Sequence, residues 1–295
     1  MYDAACLSDP QTLQRAVGEL AVSVRRRDDT SVLEGLRQVG CLKARFPRAL
    51  VPGWIDVVTL NTSGGIAGGD RLDSAFDVRS GARASIAAQA AERFYRALPG
   101  SEPSRVRTRI VVGAGAAAEW LPQETILFDR CAVDRRLEVD LAEDAWFLGV
   151  EALVFGRAAM GEVVGQASLR DLIRVRRGGR LLWQDSLRLE GEVAATLRRR
   201  ATANGARAVA TIVYVAPDTE TMLDAVRKRL ASVMTFPIPS CNRGEGRGQN
   251  AAASAWNGML IARILAPDSA TLRSSVAAVL SVLRGDRPLP RVWLC

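Results

Sequence analysis

The run Asn61-Thr62-Ser63-Gly64-Gly65-Ile66-Ala67-Gly68-Gly69-Asp70-Arg71-Leu72 sets an acid at the end of four glycines, between two apolar segments. Glycine serves where backbone takes φ > 0 or lies close against another surface. Gly64, Gly65, Gly68 and Gly69 are therefore expected to hold a shaped loop that presents Asp70. The loop is no phosphate cradle, because a Walker A site needs Gly-Lys-Ser/Thr and Gly69 is followed by Asp70. It also lacks the GxGxxG spacing of dinucleotide binding. A second acid, Glu151, stands inside Trp146–Phe155, the most apolar segment of the chain. The chain has no histidine, which excludes Ser-His-Asp and Cys-His mechanisms and histidine-based metal sites. Cys6, Cys41, Cys131, Cys241 and Cys295 are odd in number and form no CxxC pair, so neither a disulfide framework nor a thiolate zinc site is indicated. Any metal handling falls to carboxylates, cysteines or backbone.

The elements that must position these acids read as strands. Leu72, Ser74, Phe76 and Val78 alternate with Asp73, Ala75 and Asp77, Val106, Thr108, Ile110 and Val112 with Arg105, Arg107, Arg109 and Val111, and Leu137, Val139 and Leu141 with Glu138 and Asp140; this is the period of half-buried strands. Their ends share a pattern. Val78-x-x-Gly81-Ala82-x-Ala84 matches Val112-x-x-Gly115-Ala116-x-Ala118, with looser copies at Leu141-x-x-Asp144-Ala145-x-Phe147 and Val175-x-x-Gly178-Gly179-x-Leu181. A strand–turn–strand unit recurring about every 30 residues predicts a mainly β fold, with a stacked, β-helix-like body over about residues 20–200. Seven or eight residues past each turn stands a polar side chain: Gln89, Gln123, Glu151 and Asp185. Stacked units would bring these to one level, where buried acids need partners, water or a cation; on a solvated face they would need nothing.

From about residue 205 to 295 the pattern changes to a packed β-α-β-α element within the same single domain. Val209–Val215 reads as a strand, 219–233 as a helix, Trp256–Leu265 as a strand and Ser269–Leu283 as a helix capped near Asp268. A Pro/Gly/Arg-rich stretch near 236–252 is expected to be a mobile loop, and the tail from Arg287 to Trp293 to be extended. Glu119–Asp129 carries Pro122 and several acids, which suits an edge, a partner-facing loop or plain surface charge.

Net charge is +8 over 295 residues, which suits nucleic acid, an acidic membrane face or an acidic protein. The arginines are dispersed and aromatics make up 5%, poor for base stacking. No apolar run is long enough to span a membrane and the start lacks signal-peptide features, so a cytoplasmic protein is expected. Paired carboxylates on such a scaffold would also suit a β-helix hydrolase acting on an acidic polymer, although sugar clefts are usually richer in aromatics.

Six segments in order carry a resemblance to one family. They are Asn61–Leu72, Ala88–Arg96, Trp120–Phe128, Leu148–Arg157, Ser254–Gly258 and Leu289–Trp293. From about Arg25 to Trp293 the chain resembles the urease accessory protein UreD (UreH) family. The resemblance implies a β-helix-like, non-enzymatic scaffold for insertion of nickel into urease. It implies binding to the urease apoprotein and to UreF, and through UreF to the GTPase UreG, with no tightly bound cofactor and transient Ni²⁺ on an internal polar path. Asp70 and Glu151 are placed on that path, with Asp185 and Glu190 added from the ladder of polar residues. Gln123, Glu124, Asp129, Arg157 and Trp256 become candidates for partner contacts. Two departures stand out: Asp171-Leu172-Ile173 lacks a tryptophan expected close after the aspartate, and the insertion before Trp256 is long. Carboxylates and water hold Ni²⁺ weakly, and Ni²⁺ prefers nitrogen donors, so the lack of histidine suits passage more than storage.

Overall fold

Strand alternation and a repeated corner turn generate most of the architecture. The computed structural model describes residues 14–235, 250–285 and 287–294. Its strands are β1 (Val17–Arg27), β2 (Thr30–Gly40), β3 (Leu42–Arg45), β4 (Ile55–Asn61), β5 (Arg71–Val78), β6 (Arg83–Ala88), β7 (Glu92–Phe94), β8 (Ser104–Val112), β9 (Ala117–Leu121), β10 (Thr125–Leu127), β11 (Ala132–Leu141), β12 (Trp146–Phe155), β13 (Gln166–Arg177), β14 (Arg180–Glu192), β15 (Ala208–Val215), β16 (Asn250–Trp256) and β17 (Met259–Ala266). The helices are α1 (Val193–Arg198), α2 (Thr219–Thr235) and α3 (Ser269–Leu283).

In the first sheet β1, β5, β8, β11 and β13 run parallel, with antiparallel β2 and β14 at the edges. In the second, β4, β6, β9 and β12 run parallel; β3 extends one side and β15, β17 and β16 the other. Each corner carries the chain from one sheet to the other, so successive turns stack as a β-helix does. The first three repeat copies are these corners. Ala82, Ala116 and Ala145 each donate an amide to the carbonyl three residues back, at 2.9, 3.1 and 3.2 Å. Val78 lies beside Val112 and Val112 beside Leu141; across the corner, Ala84, Ala118 and Phe147 share one register.

The fourth copy corrects the repeat. Gly178 and Gly179 both take positive φ, 55° and 76°, the signature of a two-residue hairpin turn. The chain therefore doubles back from β13 to β14 and the stack ends there. Asp185 consequently lies in the first sheet, opposite Ile173, and not one coil above Glu151.

Register rows run across the interior. Val22, Phe76, Ile110, Val139 and Val175 form one row, all buried, each stabilising the body by about 1.5–3 kcal/mol through burial. Two steps further from the corner the row is Leu20, Ser74, Thr108, Leu137 and Ile173; two steps beyond that, Gly18, Leu72, Val106, Arg135 and Asp171. The inter-sheet space is thus apolar beside the corner and turns polar only at Arg135 and Asp171, with buried Val133 and Leu169 one inward step further on.

A second apolar core lies between the outer face of the second sheet and α2 and α3, as an attached C-terminal part requires. Helix α3 begins as expected, with the Asp268 carboxylate accepting from Thr271 N at 2.8 Å. The single strand expected over Trp256–Leu265 is in fact a turn flanked by two strands. Asn257 and Gly258 both have positive φ, and β16 folds back on β17, giving β-α-β-β-α. The expected mobile loop lies outside the described residues over 236–249, while 250–252 open β16. The tail is not fully extended: Arg291–Trp293 makes a 3-10 turn that buries Trp293. Among the described residues, no helix is long and apolar enough to cross a membrane.

Candidate functional site

Between the sheets, Arg135 of β11, Asp171 of β13 and Glu151 of β12 meet. Alternation puts Val133, Leu137 and Val139 inward on β11, and Arg135 occupies the same phase. Leu169 and Ile173 flank Asp171 in the same way. The Arg135 guanidinium grips Asp171 with two bonds, Nε to Oδ1 at 2.9 Å and Nη2 to Oδ2 at 2.7 Å. Its Nη1 reaches Glu151 Oε2 at 2.6 Å and Thr125 Oγ1 at 3.0 Å. The other oxygen of Glu151 accepts from Trp120 Nε1 at 2.6 Å. Burial pushes the Glu151 carboxyl above its ordinary range, against the pull of Arg135. Burial also acts to lower Arg135, but Asp171 and Glu151 outweigh it and hold the guanidinium charged. The three side chains are largely buried, two acids against one guanidinium.

Two cavities meet at the triad. The larger, about 370 Å³, is lined by the glycine loop at Gly64 and Gly65 and by Gln89, Glu92, Gln123, Arg135 and Glu151. The smaller, about 110 Å³, is lined by Glu151, Asp171, Asp185, Thr211 and Arg263 among aliphatic side chains. Glu151 is common to both. In the larger cavity, burial raises the Glu92 carboxyl, which accepts from Asn61 Nδ2 at 3.2 Å. In the smaller, Asp185 is bonded to Arg263.

The candidate residues fall in several places. Glu151 and Asp185 share the smaller cavity, and Gln89 and Gln123 share the larger one with Glu151. Asp70 is buried but lines neither cavity. Its Oδ1 accepts from Ala16 N at 2.8 Å and its Oδ2 from Ala67 N at 2.7 Å, so it shapes the loop backbone. Glu190 lies on the surface beside Arg188, whose hydrogen bond and charge lower its pKa. In the glycine loop Gly64, Gly65 and Gly69 have positive φ, and a Cβ on Gly68 would lie 2.7 Å from Ser101 Oγ.

The candidate contact residues also divide. Gln123 is buried, donating to Val292 O at 2.7 Å and accepting from Arg273 at 2.5 Å. Glu124 pairs with the same arginine, and Asp129 accepts from the amides of Gly165 and Gln166. These three serve internal contacts. Arg157, paired with Glu162 and lying over Phe128, and Trp256, 38% exposed, remain at the surface. Glu119 is not one of the ordinary surface charges allowed for its segment: it is fully buried between Arg284 and Arg287.

Sequence reasoning missed Arg135 and did not assign Asp171 a role. The signal was present in the strand phase. Extending the alternation of Leu137, Val139 and Leu141 back to Val133 makes Arg135 an inward charge. Among the described residues no group of three or more His, Cys, Asp or Glu side chains is arranged to hold a metal ion.

The chain matches the model of the family described as UreD urease accessory protein over residues 16–294. It is 45% identical over 282 residues to a protein from Dinoroseobacter shibae named urease accessory protein UreD, covering 95% of this chain and 93% of that one. Proteins of the same name from Azorhizobium caulinodans and Rhizobium leguminosarum bv. viciae are 42% and 41% identical, each over 280 residues. These alignments cover 95% of this chain and 97% and 96% of the relatives.

Proposed function

The chain belongs to the UreD family of urease accessory proteins, and from that membership we propose that it is a non-catalytic scaffold for nickel insertion into urease. Its role lies in urease maturation. In this reading it works in the cytoplasm, binding the urease apoprotein on one side and UreF on another, with UreG joined through UreF. Nickel crosses its interior between the sheets, from one cavity past Glu151 to the other, with Asp185 lining the second.

The observation that supports this route is that Glu151 lines both cavities, the larger one together with Asn61, Gln89, Glu92 and Arg135 and the smaller one together with Asp171, Asp185 and Arg263. A buried acid is costly unless paired, and here the pairing is with groups that line the cavities. Asp70 supports the route indirectly, by holding the loop whose Gly64 and Gly65 wall the larger cavity. Arg157 and Trp256 are the surface residues this reading assigns to partner contacts.

Urease produced with and without this chain, in the presence of the other accessory proteins, tests the function. Co-purification of the chain with urease apoprotein and UreF, together with severalfold more nickel per urease active site when the chain is present, is expected. Equal nickel in both preparations, or no complex at any salt concentration, would refute the reading.

A further inference from the structure

We propose that Arg135 is a gate: its guanidinium closes the junction between the two cavities, and a divalent cation passes only by taking its place between Glu151 and Asp171. The gate rests on the reading of the interior as a cation route, and it adds that the route is shut in the free protein.

Arg135 lines the larger cavity and Asp171 the smaller, while Glu151 lines both. The guanidinium bonded to both acids therefore lies where the two spaces would join. Like a small cation, it occupies the point at which both carboxylates converge. Charge counting shows why exchange is feasible. Counted with both acids ionised, Arg135 leaves one negative charge in excess, and a divalent cation in its place leaves none. With both present the group would carry one positive charge in excess, in a buried setting where unpaired charge is strongly unfavourable. The cation thus favours departure of the arginine.

The side chain has somewhere to go. It already bonds Thr125 on the side of the larger cavity, and that cavity, at about 370 Å³, is the roomier of the two. Glu92, on the same cavity wall, offers an alternative carboxylate. Trp120 stays bonded to Glu151 Oε1 and holds that carboxylate in place while its partner changes. Two carboxylates and a hydroxyl leave most coordination positions to water, so the cation is not trapped.

The test is titration of untagged protein with Ni²⁺ by calorimetry; the absence of histidine keeps the background low. Arg135→Gln is expected to bind one Ni²⁺ at least tenfold more tightly than the native chain. Adding Glu151→Gln should abolish the gain. Arg135→Lys keeps the charge, and so the fold, but loses the two-pronged grip on Asp171; it should tighten binding about threefold or more. Folding of each variant is checked by circular dichroism, and Arg135→Lys decides the matter if Arg135→Gln does not fold. Folded variants that bind Ni²⁺ no better than the native chain, or a gain that persists with Glu151→Gln, would overturn the gate. The passage is judged separately, by nickel in urease matured with Glu151→Gln. Low nickel there with no gain in the arginine variants would sink the gate alone; a gain in those variants with normal nickel would leave a cation site but remove the route.

Discussion

Glu119→Ala is expected to destabilise the protein by about 3–5 kcal/mol, the usual cost of breaking a buried ion pair from one side. Glu119 lies on β9 with no exposed surface, and Arg284, just past the end of α3, is 4% exposed. Their contact is two-pronged, Nε to Oε1 and Nη2 to Oε2, both at 2.9 Å. Arg287 adds a third contact at 3.1 Å and stacks over Trp54 and Trp146 at 4.5 and 5.2 Å. Burial already pulls the Arg287 guanidinium below its ordinary pKa, so removing the acid leaves two poorly hydrated cations side by side. Urea unfolding checks this. Glu119→Gln, which can still accept hydrogen bonds, should lose less, and a loss under about 1 kcal/mol in the alanine variant would show that the link does not hold the C-terminal part to the body.

Gly65→Ala is the second large effect, expected to cost about 2–6 kcal/mol from backbone strain and overpacking together. Gly65 has φ of 141°, and a Cβ there would lie 2.3 Å from the Tyr95 ring. The ring cannot easily retreat, because Tyr95 donates its hydroxyl to Gly64 O at 2.6 Å and packs against Phe128. The neighbouring glycine is the control. Gly64 has φ of 79°, and an added Cβ would meet nothing within 4 Å, so Gly64→Ala should cost only the left-handed strain, about 1–2 kcal/mol. Equal unfolding midpoints for the two variants would contradict this account of the loop.

Much of the body was legible because its signals are local and repeated. The corner motif at Gly81, Gly115 and Asp144 recurs at matching strand phases, and a parallel stack converts such a period directly into register. The fourth copy misled because glycine chemistry serves both a coil corner and a hairpin turn; two consecutive glycines at 178 and 179 were the distinguishing mark. Asn257-Gly258 is an equally local hairpin signal, and the apolar residues on both sides of it hid the break. The site was only half legible. Glu151 stood out against its apolar segment, but its partners Arg135 and Asp171 come from β11 and β13, on either side of it in sequence and in the opposite sheet. Their meeting depends on register across the first sheet and on closure of the two sheets, neither of which a short window contains. Glu119 was obscured for the same reason: its partners Arg284 and Arg287 lie near the far end of the chain.

Asp70 shows the opposite lesson. Its prominence in the sequence was real, but its two backbone hydrogen bonds make it a loop builder lining neither cavity. The same loop walls the larger cavity that Glu151 also lines, so the two acids can belong to one device without touching.

The proposed route is tested most directly by metal analysis of urease matured with the Glu151→Gln variant. Glutamine keeps the side chain's shape, can still accept from Trp120 and leaves Arg135 paired with Asp171, so the fold and the complex with urease should persist. At least a fivefold drop in nickel per urease active site, with the complex intact, is the result expected. Native nickel content from an intact complex would show that the metal reaches urease by another way.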